Sequence, residues 1–185
     1  MPTTLQTLNT AAPSDALDLL EPLVEMSPWV ASAVIDQRPF RSIEDLASAL
    51  VEVILRSAKE RRISLFQAHA ELAGAEAVAG QMTAHSQTEQ GRLGLTSLSG
   101  AEAELLARMN AEYCARFGHP FIIALHRVPD RAALFKSFER RLGASPLEEH
   151  VTTLSEITSV ILSRTGRSFE TDQPLPQTSL RDTQE

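Results

Sequence analysis

The sequence predicts an all-α fold: a single compact domain of about seven to eight helices with flexible N- and C-terminal tails. Three observations carry this. Apolar residues recur every three or four positions in most segments between turn signals, as Leu46, Leu50, Val53 and Ile54 do. Helix-start signals are frequent: Ser27-Pro28, Ser42, Ser99-Gly100, Asp130 and Ser145-Pro146 each pair a capping side chain or an N-terminal proline with an apolar stripe. Only His119–Leu125 reads as a strand, and one strand without a partner makes no sheet.

Taken in order, residues 1–13 are polar, carry Pro2 and Pro13, and read as a loose arm before a domain over 14–166. Ser14 or Asp15 is expected to cap a helix carrying Leu17, Leu20 and Leu23, disturbed at Pro22 and ending near Met26. Ser27 caps the next, with Pro28 at its first position, and it ends before Pro39; the turn at Arg38-Pro39 drops Phe40 onto the core. Ser42 opens a longer helix whose acidic first turn, Glu44-Asp45, suits the positive end of the helix dipole. Lys59, Arg61 and Arg62 fall at its far end. A short helix with Leu65, Phe66 and Leu72 around His69 stops at Gly74, and another runs from Thr83 or Ser86 towards Leu93. Ser99 starts a helix through Leu105, Leu106, Met109, Tyr113 and Phe117, closed by Gly118. The run 119–125 is a buried extended piece or a helix start. Asp130 caps a helix to Leu142, and Ser145-Pro146 begins the last, through Ile157, Ile161 and Arg164 to Gly166. The tail 167–185, with Pro174 and Pro176, reads as disordered.

Composition excludes several functions. The 185 residues carry a net charge of −7, against the concentrated basic surface that nucleic-acid binding needs. No apolar run reaches the ~20 residues of a membrane span. One cysteine, Cys114, allows no intrachain disulfide and no cysteine-based zinc site, and reads as a structural thiol. The first residues lack the basic start and apolar core of a secretory signal, so a reducing cytoplasmic compartment is the expectation. His85, His119, His126 and His150 lack paired helical spacing, so no metal site is expected. Trp29 reads as core or interface, Arg140-Arg141 as a solvated helix end and His119 as a turn residue.

The chemistry concentrates in Ser64–Leu95. His69 and the cluster Ser86, Glu89 and Gln90 lie on adjoining helices, and a histidine facing a carboxylate makes an acid–base pair. On residues alone, a core histidine and a solvated glutamate remain open readings.

Several phrases stand in one register: Ser27-Pro28-Trp29-Val30-Ala31, Ala68-His69-x-x-Leu72-Ala73-Gly74, Ser86-x-x-Glu89-Gln90-x-x-x-Gly94-Leu95, Asn110-x-x-Tyr113-x-x-Arg116-Phe117-Gly118-x-Pro120-Phe121-Ile122-Ile123 and Ile161-x-x-Arg164. Together, over roughly 15–166, the sequence resembles the OHCU (2-oxo-4-hydroxy-4-carboxy-5-ureidoimidazoline) decarboxylases of urate breakdown. The resemblance implies an all-helical homodimer that acts on a small molecule without cofactor and yields S-allantoin. It implies His69 and Glu89 as catalytic residues. Ala70, Ser86, Gln90, Phe121, Ile122, Ile123, Ala124, Leu125 and Arg164 would line the substrate site. One departure is Ala70, where the family usually has proline after the histidine; another is Glu71 for the more usual aspartate. Proline fixes its own φ, so Ala70 leaves His69 less constrained. This change motivates a second reading, a relative acting on another small ureido or imidazoline acid. A third is a helical binding protein that has lost turnover.

Overall fold

Five helices begin where a side-chain oxygen accepts a bond from a backbone N–H of the first turn: Thr4 from Thr7, Ser42 from Asp45, Ser99 from Glu102, Asp130 from Ala133 and Ser145 from Glu148. Ser99 and Ser145 complete reciprocal capping boxes with Glu102 and Glu148. The structure, a computed structural model, describes residues 3–24, 26–74 and 84–170. Of the flexible tail expected over 167–185, residues 167–170 instead complete the last helix and pair as a two-residue strand, and the rest lies outside the described residues.

Nine α-helices occur among the described residues. They are α1 (Leu5–Thr10), α2 (Pro13–Leu20), α3 (Pro28–Ile35), α4 (Ile43–Arg56), α5 (Lys59–Gln67), α6 (Ala84–Arg92), α7 (Gly100–Phe117), α8 (Arg131–Leu142) and α9 (Pro146–Ser168). Short 3-10 turns occupy Glu21–Leu23, Leu95–Ser97 and Leu125–Arg127. Two-residue strands β1 (Thr3–Thr4) and β2 (Phe169–Glu170) pair in parallel, Thr3 opposite Phe169.

The all-α expectation holds, with differences in several elements. Residues 3–13 are no loose arm: α1 buries Leu5 and Leu8, and Asn9 exchanges two 2.8 Å bonds with the backbone of Phe40. Arg38 donates to the carbonyls of Leu8 and Ala11, both at 2.9 Å. So short a helix is held by tertiary contacts its own periodicity does not announce. Helix α2 starts at Pro13 behind Ala12 with no side-chain cap, and Pro22 converts its end to a 3-10 turn. Ser27 occupies the cap position of α3 without making a cap bond. Lys59, Arg61 and Arg62 open α5 rather than closing α4, and His69 lies just past the end of α5. Phe40 is buried as expected, and Gly118 (φ 77°) closes α7 in the left-handed conformation glycine favours.

Two apolar clusters form the core. One unites α1–α5 with α9 through Leu8, Leu20, Val34, Leu50, Phe66 and Ile161; the other joins α6–α8 through Leu93, Leu106, Tyr113, Leu134 and Phe138. The extended residues Phe121 and Ile122 divide between them, Phe121 in the second and Ile122 in the first.

What holds that extended piece is buried charge. Arg141, expected to be a solvated helix end, is 1% exposed and pairs with Glu149, which is 0% exposed. Arg141 also donates 2.7 Å to the Ile122 carbonyl and 3.2 Å to Thr153 Oγ1. Its guanidinium lies 4.4 Å from the centre of the Phe121 ring, which stacks on Phe138 at 3.9 Å. Tyr113 donates its hydroxyl to Glu149, and burial first, then that bond, push the phenol well above its ordinary pKa. Removing one partner leaves the other charge buried and unpaired. Glu149→Ala should therefore cost about 3–5 kcal/mol of stability, read by urea denaturation; a loss below about 1 kcal/mol would contradict this role.

Candidate active site

The loop after α5 must turn sharply, and glycine permits it. A Cβ on Gly74 would come within 2.9 Å of the Glu71 Cβ. Three bonds then anchor the loop: the His69 N–H donates to Phe66 O (3.2 Å), Gln90 Oε1 accepts from the Ala73 N–H (2.9 Å), and Asn110 donates to Leu72 O (2.9 Å). Ala73 sits at φ 51°, strained for a residue with a Cβ and pinned by the Gln90 bond. With those anchors, the backbone around His69 is defined without a proline at position 70.

The His69 ring makes a 2.9 Å bond from Nδ1 to the Leu65 carbonyl. A carbonyl only accepts, so Nδ1 carries the proton in that bond. This tautomer follows from the bond itself.

Helix α6 presents Glu89 and Gln90, both buried, and α9 presents Arg164, 3% exposed. Glu89 accepts from two guanidinium groups, Oε2 from Arg164 at 3.2 Å and Oε1 from Arg167 at 2.8 Å. Opposite them runs the backbone of Phe121–Leu125. Arg92 ties down the end of that run by donating to the carbonyls of Leu125 and, at 2.6 Å, Val128.

These pieces enclose one cleft, lined by His69, Ala70, Leu72, Glu89, Gln90, Phe121, Ile122, Ile123, Leu125 and Arg164. Its cavity volume is about 50 Å³, and the atom-free space reaches about 430 Å³ once the mouth is included. It lies on the seam between the two clusters: Phe66, three residues before His69, packs in the first, and Leu72, three after it, in the second. One imidazole, one carboxylate, one amide, one guanidinium and a strip of backbone thus face the cavity beside apolar side chains. Such a set can bind a polar anion and move one proton in partial shelter from water.

Comparison with known proteins now decides the family. Residues 9–166 match the family described as OHCU decarboxylase. The 2-oxo-4-hydroxy-4-carboxy-5-ureidoimidazoline decarboxylase of Mus musculus is 38% identical over 147 residues, 78% of this chain and 80% of the mouse protein. The chain belongs to the OHCU decarboxylase family.

The enzyme of that name from Haloferax volcanii is 32% identical over 170 residues, 91% of this chain and 98% of its own. Two crystal structures share the fold. An (S)-allantoin synthase superposes with TM-score 0.71 at 22% identity, over 90% of this chain and 54% of its own. An OHCU decarboxylase crystallised in the presence of (S)-allantoin gives 0.63 at 16%, over 81% and 96%.

Of the residues that the family resemblance implied, His69, Ala70, Glu89, Gln90, Phe121, Ile122, Ile123, Leu125 and Arg164 meet in the cleft. Ala124 faces away: its N–H donates 2.8 Å to Glu156, beside a neighbouring concavity with Arg127 and Val128. Ser86 belongs to α6, but its side chain lies outside the described residues. Leu72 lines the cleft and Arg167 grips Glu89, and sequence reasoning passed over both. The signal for Arg167 was available, because it stands three residues after Arg164 on one face of the helix. Cys114, half-buried, donates to Glu71 at 3.4 Å; burial and that carboxylate push its thiol up to about 11, as expected of an inert thiol in this OHCU-decarboxylase fold.

Asn110 supports the loop without lining the cleft. Asn110→Ala should cost about 1–3 kcal/mol by leaving Leu72 O unsatisfied. Amide exchange at residues 70–74 should speed up with it; unchanged exchange there would show that the loop is held by other means.

Proposed function

We propose that this chain decarboxylates 2-oxo-4-hydroxy-4-carboxy-5-ureidoimidazoline to (S)-allantoin in urate degradation, with His69 moving the proton and Glu89 and Arg164 holding the substrate. The observation that carries the reading is the meeting of His69, Glu89, Gln90 and Arg164 in one cleft of an OHCU-decarboxylase fold. The relatives from Mus musculus and Haloferax volcanii bear that activity in their names.

The chemistry fits these groups. The bond to the leaving carboxylate breaks, and its electron pair forms a double bond to the neighbouring ureido-bearing carbon. The adjoining ring C=N takes up the displaced pair and a proton at nitrogen. The resulting enol then accepts a proton at the ureido-bearing carbon and releases its hydroxyl proton, becoming the carbonyl of allantoin. The substrate's own C=N serves as electron sink. The chain must orient the anion, limit water, and deliver the proton to one face.

His69 suits the delivery, since Nδ1 is committed to Leu65 O and Nε2 alone cycles. Glu89 has an arginine on each oxygen, so it accepts the substrate hydroxyl and fixes Arg164 rather than orienting the imidazole. Arg164 offers a planar fork to a carboxylate or ureido oxygen. The Phe121–Leu125 wall adds backbone groups for the ring edges. A homodimer belongs to the proposal, with Val151 and Leu162, exposed on one face of α9, as apolar surface for it. A cytoplasmic location suits the single thiol.

His69→Asn should lower kcat by about 10²–10⁴-fold with fold intact, measured on substrate made in situ from urate. Arg164→Gln should act mainly on KM, by about tenfold or more. Full turnover by the His69 variant would remove histidine from the mechanism. A monomeric mass in light scattering at micromolar concentration would remove the dimer.

A further inference from the structure

A second concavity, sharing no lining residue with the cleft, opens where the start of α5, the end of α7 and the start of α9 converge. It holds about 990 Å³ of atom-free space, mouth included. Its charged and titratable walls are Lys59 and Arg62 from α5, Arg116 from α7, His119 behind α7, and His150 from α9. No carboxylate lines it, in a chain of net charge −7.

Among the described residues, Lys59, Arg62 and Arg116 make no ion pair. Arg62 commits one terminal nitrogen to Leu55 O and Arg116 one to Ala144 O, both at 3.0 Å, out of five N–H donors on each guanidinium. Arg62 Nε and His150 Nε2 are buried with no hydrogen-bond partner among the described residues. Both atoms are covered by the protein itself, so the groups open to a ligand are the remaining guanidinium N–H donors and the Lys59 ammonium. The rings that frame it are packed: Phe66 lies 5.0 Å from His119 and 5.1 Å from His150, and Arg116 rests 5.4 Å from Phe117. Burial first, then Arg62, Lys59 and His119, hold His150 below its ordinary pKa, as expected where positive charge lacks a counter-charge. The remaining wall is apolar, with Ile63, Phe117 and Leu147, the last 74% exposed at the rim.

We propose that this concavity binds a small organic dianion, a phosphate or dicarboxylate carried on a ring or short aliphatic body. Guanidinium forks match the oxygens of either group, Lys59 adds a point charge, and Phe117, Ile63 and Leu147 receive the body. The site is independent of turnover in the cleft.

The test titrates the full-length protein with AMP, phthalate and inorganic phosphate, reading calorimetry and the histidine ring resonances. AMP or phthalate should bind more tightly than inorganic phosphate, and the His119 and His150 signals should move while His69 stays in place. AMP against phthalate distinguishes a phosphate site from a dicarboxylate one. K59Q/R116Q, at two exposed positions, and R62Q should each weaken binding by about tenfold or more and leave basal decarboxylation unchanged. That unchanged activity also verifies folding. No binding up to about 10 mM overturns the proposal. So does binding that survives both variants, or that moves His69 and inhibits turnover, because the anion then sits elsewhere.

Discussion

The molecule depends on a carboxylate with no access to water. Glu149 is fully buried, and its oxygens meet the Arg141 guanidinium and the Tyr113 hydroxyl. Arg141 in turn holds the Ile122 carbonyl. Three helices and an extended segment are thereby fixed to one another at their least hydrated point. Such a pair adds little net stability over apolar packing, because desolvation offsets its attraction. Its effect is on geometry. The backbone of Phe121–Ile122 cannot shift without uncovering a buried charge, and that backbone is one wall of the cleft.

The opposite wall is made by different means. There the chain leaves α5, turns through Gly74 and is caught by amide side chains from α6 and α7. Both walls stand where the two apolar clusters meet, so polar groups can face a cavity without breaking either cluster. The cleft's one carboxylate is held by two guanidinium groups. Glu89 lies between Arg164 and Arg167, and the imidazole of His69 bonds the Leu65 carbonyl through Nδ1. In the proposed reaction the Nδ1 bond holds one nitrogen while the other exchanges protons, a division that suits one-sided delivery to a planar intermediate.

Much of this was legible in the sequence. Ser42, Ser99, Asp130 and Ser145 mark helix starts because capping is a local interaction. His69, Glu89, Gln90 and Arg164 were legible through the register of family phrases; spacing alone gives a histidine and a glutamate on adjoining helices and no reason to join them. What escaped is non-local. Arg141 sits beside Arg140 in a helix's last turn, where cations are ordinary, and only the fold brings Glu149 to it. Helix α1 has too few apolar residues to announce itself and is held by Arg38 and Phe40, about thirty residues away in sequence. Ala124 shows the limit of a run read as a unit: Phe121, Ile122, Ile123 and Leu125 line the cleft, whereas Ala124 lines the neighbouring concavity.

The most direct measurement generates 2-oxo-4-hydroxy-4-carboxy-5-ureidoimidazoline from urate with urate oxidase and hydroxyisourate hydrolase, adds the protein, and follows circular dichroism of the allantoin formed. One-sided proton delivery in the cleft predicts rapid appearance of the S-enantiomer alone, well above the uncatalysed racemic background. Racemic allantoin at the uncatalysed rate, in the presence of well-folded protein, would contradict it.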